Sequence, residues 1–156
     1  MTNFVRASVA VAALLILAAC QSDVSTVSAS GENGAGVPYL REIRAEAGMP
    51  LLLPDAALER AALQQASFMA GAGAMKHTTG FRRAFDRRMR QNGVPSAAAE
   101  NIAHGAFGAE ELFRRWMDSP PHRRNMLDRS YTRFGLAAAA DPHGGGRRYW
   151  ALVLAR

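Results

Sequence analysis

The run Arg147-Arg148-Tyr149-Trp150-Ala151-Leu152-Val153-Leu154 constrains the fold more than any other part of the chain. Read with the alternation of a β-strand, it is apolar on both faces: Tyr149, Ala151 and Val153 on one, Trp150, Leu152 and Leu154 on the other. A strand with no polar face must be covered on both sides. Tyr131 to Ala139 is a second such run, and Asp141, Pro142, His143 and three glycines separate the two, so they read as antiparallel strands joined by a loose hairpin. Glu100 to Ala103 is expected to add a further short strand.

The covering elements can be read from period and punctuation. Val37 to Ala47 is a short helix stopped by Gly48, and Pro50 and Pro54 then bracket an extended stretch. Asp55 is a good N-cap for a helix to about Ala70, with Leu58, Ala62, Ala66 and Met69 at helical spacing. Phe81 to Gln91 forms an amphipathic helix, with Phe81, Phe85 and Met89 on one stripe and Arg83, Arg87 and Arg90 opposite. Glu110 to Asp118 carries Leu112, Phe113, Trp116 and Met117 on one face, with Glu110–Arg114 and Glu111–Arg115 spaced as i,i+4 pairs. Ser119-Pro120-Pro121 ends it and starts another short helix bearing His122. The expected fold class is α+β: a three-layer α/β/α sandwich with a small, mainly antiparallel sheet.

At 156 residues, 49% of them hydrophobic and 21% charged, the chain suits one compact domain and excludes disordered and coiled-coil classes for its body. Its single cysteine, Cys20, excludes an internal disulfide framework. Arg6 followed by the apolar run Val9 to Ala19 reads as a secretory signal, too short for a membrane span. Leu17-Ala18-Ala19-Cys20 looks like the box at which bacteria lipidate the cysteine and cleave before it, which makes Cys20 a lipid attachment site. Gln21 follows, in place of the Asp that resembles an inner-membrane retention signal, so the expected address is the outer membrane facing the periplasm. The expected division is a lipoprotein signal peptide over 1–19, a flexible Ser- and Gly-rich tether over 20–36 and the domain over 37–156. Export makes nucleic acid an unexpected partner in spite of the net charge of +6. The arginines between 82 and 90 read as a solvated helix face.

His77, Glu100, His104 and His122 stand apart from surface decoration. A carboxylate at Glu100, entering an apolar strand, requires hydrogen bonds or a charge partner, so it belongs either to a buried structural pair or to a site. His122, in the first turn of its helix, could face a cleft or cap the helix, and His77 in isolation reads as a loop histidine. His104 lies about 13 Å along an extended strand from Glu100, out of reach of a shared small site. His143, in the hairpin, ranks below it. The spacing of 77, 100 and 122 fits no compact metal motif.

Taken in order, Leu40, Arg44, Gly48, Pro50-Leu51, Met69, His77, Glu100-Asn101-Ile102-Ala103, Gly105, Trp116, Ser119-Pro120-Pro121-His122-Arg123-Arg124-Asn125-Met126-Leu127, Gly135 and Tyr149-Trp150 resemble the bacterial branch of the CAP superfamily of SCP-like domains. Its name joins cysteine-rich secretory proteins, antigen 5 and pathogenesis-related 1 proteins. The resemblance covers about residues 38 to 156 and implies the same α/β/α sandwich. It also implies a cleft lined by two histidines and two glutamates, of which His77, Glu100 and His122 match three. The second glutamate falls on Ser119.

These matches place His77, Glu100, His122, Ser119 and Asn125 at a ligand-binding cleft and assign no catalytic residue. Two imidazoles and a carboxylate could hold a divalent metal, zinc first among them, with an open position for water. The resemblance implies no common catalytic activity. The expected function is therefore a non-catalytic envelope module binding a lipid, glycan or peptide, held at the membrane through Cys20. The alternative is a metal-dependent hydrolase using His77, Glu100 and His122.

Overall fold

The computed structural model describes residues 27–78, 84–94 and 97–156. Cys20 and the signal segment lie outside them, as does Phe81. In chain order the elements are β1 (Ala29–Gly31), α1 (Asn33–Glu46), β2 (Leu53–Pro54), α2 (Ala56–Ala72), α3 (Phe85–Gln91), β3 (Ala98–Gly105), α4 (Ala109–Asp118), α5 (Pro120–Met126), β4 (Arg133–Ala140) and β5 (Arg148–Ala155). The strands form one five-stranded sheet in the order β1-β4-β5-β3, with β2 also on β4. Every pairing is antiparallel except β2 with β4.

The two-faced pattern of β4 and β5 is satisfied by two separate cores. Tyr149, Ala151, Val153, Ala137 and Ala139 pack under α2 with Leu58, Ala62, Ala66 and Met69, and Met89 of α3 joins them. On the other face, Trp150, Leu152, Leu154, Phe134 and Leu136 meet Leu40 of α1, Leu112, Phe113 and Trp116 of α4, and Met126 of α5. The result is the expected three-layer sandwich, with α2 and α3 on one side and α1, α4 and α5 on the other. Among the described residues no helix is long and apolar enough to cross a membrane.

Local chemistry sets the boundaries. The Asp55 side chain accepts from the amides of Ala57 and Leu58, and Gly73 closes α2 in the left-handed conformation at φ +59°. Gly135 has a different reason to be glycine. The backbone of α2 passes so close that an added Cβ would lie 2.1 Å from Leu58 C and Glu59 N.

Two expected boundaries move. The domain begins before 37: β1 pairs with β4 through Ala29–Gly31, and α1 starts at Asn33. Composition misses this because polar contacts, not apolar burial, hold the segment. Glu32 N–H donates to Leu136 O at 2.8 Å, Asn33 Oδ1 accepts from Leu136 N at 2.8 Å, and Glu59 accepts from Asn33 N at 3.0 Å. The helix expected over 81–91 is described from Phe85, and its arginines are not one solvated face: Arg90 is exposed whereas Arg88 is fully buried. On α4, Glu111 pairs with Arg115 as expected, but Arg114 turns to Glu111 and Asp118.

Gly135→Ala should destabilise the protein by about 3 kcal/mol, because the helix backbone cannot yield as a side chain would. Calorimetry should show the unfolding midpoint lower by roughly 10 °C. Gly71→Ala, in α2 with open space around its Cα, should instead gain up to about 1 kcal/mol.

Candidate functional site

The site forms where both helical layers reach the free edge of the sheet, strand β3. Alternation along β3 sends Glu100, Ile102 and His104 toward α2 and α3, and Asn101 and Ala103 toward α4 and α5. Glu100 is buried, its side chain 3% exposed, and both of its oxygens are engaged. Oε2 takes the guanidinium of Arg88, which comes from α3 and is fully buried. Oε1 lies 2.9 Å from His77 Nδ1. Since an ionised carboxylate only accepts, Nδ1 carries the proton, which leaves Nε2 as the free edge of a ring whose side chain is 55% exposed. Gln65, buried in α2, fixes the approach to His77 by donating to Lys76 O at 2.6 Å.

On the other layer, Asn101 fastens α5 to the strand. Its Nδ2 donates to His122 O at 3.1 Å, and its Oδ1 accepts from Asn125 Nδ2 at 2.8 Å. Trp116 Nε1 donates to Ile102 O at 3.2 Å. These bonds seat His122 on a cleft of about 210 Å³, whose wall includes Ser119, Trp116, Ile102, Phe107 and His104. His122 Nδ1 is buried and has no hydrogen-bond partner. Burial, and then the charge of His77, hold this imidazole below the usual histidine value.

The expected residues therefore separate into two groups. His77 and Glu100 meet directly, while His122 and Ser119 line the adjoining cleft. Asn125 binds Asn101 and acts as a fastener. His104 is not within reach of Glu100, but it joins the cleft wall with His122. Its Nε2 lies 2.8 Å from Asp141 Oδ2, and its ring stacks on Tyr149 with centroids 4.1 Å apart. Asp141, 2% exposed, is held at a pKa of about 2, chiefly by the His143 N–H and further by His104 and Arg147.

The donor set does not fit a metal ion. Among the described residues no three His, Cys, Asp or Glu side chains converge closely enough to hold one, and Glu100 has already given both oxygens to Arg88 and His77.

Arg88 and Asp141 are the groups that sequence reading missed. Arg88 carried a usable signal: three residues after Phe85 and next to Met89, it sits on the apolar stripe of its helix, where a lone cation needs a buried partner. Asp141 had none, because strand register alone brings it to His104.

A family model described as the cysteine-rich secretory protein family, CAP, matches residues 38–154. Three solved structures share the fold. An extracellular protein containing an SCP domain from Bacillus anthracis is 21% identical at a TM-score of 0.68, over 80% of this chain and 41% of that one. An outer surface protein from Borrelia burgdorferi is 16% identical at 0.68, over 81% and 97%. A cysteine-rich secretory protein from Staphylococcus aureus is 18% identical at 0.58, over 79% and 38%. The chain thus spans well under half of the Bacillus and Staphylococcus proteins. Among curated proteins none matches significantly.

Two outcomes test this site. Arg88→Met strands the Glu100 carboxylate in the interior and should cost about 3–5 kcal/mol in chemical denaturation. Adding Glu100→Gln should restore much of that loss, the two changes being strongly non-additive. His122 should titrate below 6.5 by proton NMR, with its midpoint moving up in His77→Gln. Because its folded-state value is depressed, its contribution to stability is complete above pH 6.5 and is lost as pH falls below that value. His122→Gln should flatten that part of the stability profile.

Proposed function

Because the chain belongs to the cysteine-rich secretory protein (CAP) family, we propose that it is an extracytoplasmic lipoprotein whose CAP domain binds a ligand and catalyses no reaction. Lipid on Cys20 would hold it at the cell envelope, on the outer membrane facing the periplasm. The lipobox-like Leu17-Ala18-Ala19-Cys20 supports the anchor. The extracellular and outer-surface descriptions of two structural neighbours agree with such an address.

The observation that carries the binding reading is how the charge at the site is spent. Glu100, the carboxylate that would serve as general base or metal ligand, is 3% exposed, is matched by the Arg88 guanidinium and His77 Nδ1, and is not part of the cleft lining. What stays open is a small cleft with apolar walls and a few polar groups, the composition of a recognition site. Asn101 and Trp116 hold it in shape. A lipid, a glycan or a peptide side group could supply an occupant of that size.

Elemental analysis and thermal shift on the purified full chain test the reading. It should hold no stoichiometric zinc after dialysis, zinc should not raise its unfolding midpoint, and His122→Ala should leave the midpoint at pH 7.5 nearly unchanged. Near-stoichiometric zinc that His122→Ala releases would overturn it in favour of a metal-dependent hydrolase. The anchor is tested by detergent-phase partitioning of cell extracts: the protein should enter the detergent phase, and Cys20→Ser should remain in the aqueous phase.

A further inference from the structure

We infer that the occupant of the cleft is an anion: a small monocarboxylic acid with an apolar body. This rests on the binding reading above and specifies the charge of the ligand.

Among the described residues the polar groups on the cleft wall are His104, His122, Ser119 and Arg115, and no carboxylate is among them. All four can donate a hydrogen bond. The carboxylates nearby are each matched outside the lining: Glu100 by the Arg88 guanidinium, Asp141 behind His104 by Arg147 and the His143 amide, and Glu111 by both Arg114 and Arg115. At position 119, where the resemblance places a second glutamate, the chain carries a neutral hydroxyl. The described lining therefore carries no negative charge that would attract a cation.

Arg115 supplies the positive recognition. Its guanidinium carbon lies 4.9 Å from the centroid of the Phe107 ring, and its Nε donates to Glu111 Oε1 at 2.7 Å. Those two contacts orient the group and leave its terminal nitrogens with no hydrogen-bond partner among the described residues. A guanidinium fixed this way presents paired donors to a carboxylate. Phe107, Trp116 and Ile102 then offer apolar surface to the body of the acid. The volume of about 210 Å³ is below that of ordinary drug-sized pockets, which limits the body to about one ring or a short chain.

The test uses the purified full chain and three compounds of one shape: 3-phenylpropionate, its neutral amide, and 3-phenylpropylamine. Proton NMR follows the Trp116 indole and the His104 and His122 ring signals. The acid should shift these signals saturably and bind at least tenfold more tightly than the amide, and the amine should not compete. Arg115→Gln should weaken the acid at least tenfold, and Ser119→Glu should weaken it at least tenfold more than Ser119→Gln, which has similar bulk without the charge. The amide spectrum of each variant establishes that it is folded. Equal binding of acid and amide, preference for the amine, or indifference of the acid to Ser119→Glu would overturn the anion assignment and leave the binding module standing. No response of any cleft signal to all three compounds would overturn the anion assignment as well, the binding reading being decided by the zinc measurement above.

Discussion

Strands β4 and β5 have no face that can meet water. Phe134, Leu136, Trp150, Leu152 and Leu154 need cover on one side, and Tyr149, Val153 and the alanines between them on the other. Burial of this surface is the main driving force available to a domain of this size. Gly135 decides how closely one layer approaches, since α2 rests directly on the strand backbone there. Once both layers are fixed against the central pair, their margins meet along β3, and the residues on that edge look into both layers. A cleft at this position follows from the packing.

The buried Arg88–Glu100 pair decides what the edge can do. Two opposite charges withdrawn from water interact strongly but also lose their hydration, so such a pair contributes less to stability than its geometry suggests. Its effect on chemistry is larger. It withdraws the carboxylate from service as a free base, and through Oε1 it fixes the proton of His77 on Nδ1. A carboxylate at this position without the arginine would leave the site negative and ready for cations. With the arginine, the Glu100 charge is matched, and the polar groups that line the cleft among the described residues are the donors His104, His122, Ser119 and Arg115.

The sequence made much of this legible where one strong local rule applied. The double-sided pattern of β5 required two helical layers, Asp55 marked the start of α2, and Ser119-Pro120-Pro121 marked the joint that sets His122. Glu100 announced a need for a partner, since a carboxylate in an apolar strand cannot stand alone. What stayed hidden were effects of pairing over distance. The segment 29–36 is short of apolar side chains, yet backbone bonds to β4 and the Asn33 and Glu59 side chains order it. Arg88 was concealed by the four other arginines between 82 and 90, and the His104–Asp141 contact exists only because β3, β4 and β5 pair in one register.

Trp116 shows why the cleft and the fold cannot be varied independently. The outer edge of β3 carries backbone groups that another strand could use, a hazard that folded proteins have to suppress. The Trp116 indole N–H occupies one of them, the Ile102 carbonyl, while its ring is buried against Phe113 and also borders the cleft beside His122. A smaller side chain there would at once enlarge the cleft, weaken the second core and expose the edge. The wall formed by Trp116 is therefore fixed by folding, as is that of Phe107, which packs against the second core, whereas Arg115 and Ser119 on the rim can change with little effect on it. The charge of the cleft can therefore shift at those positions without disturbing the fold that presents them.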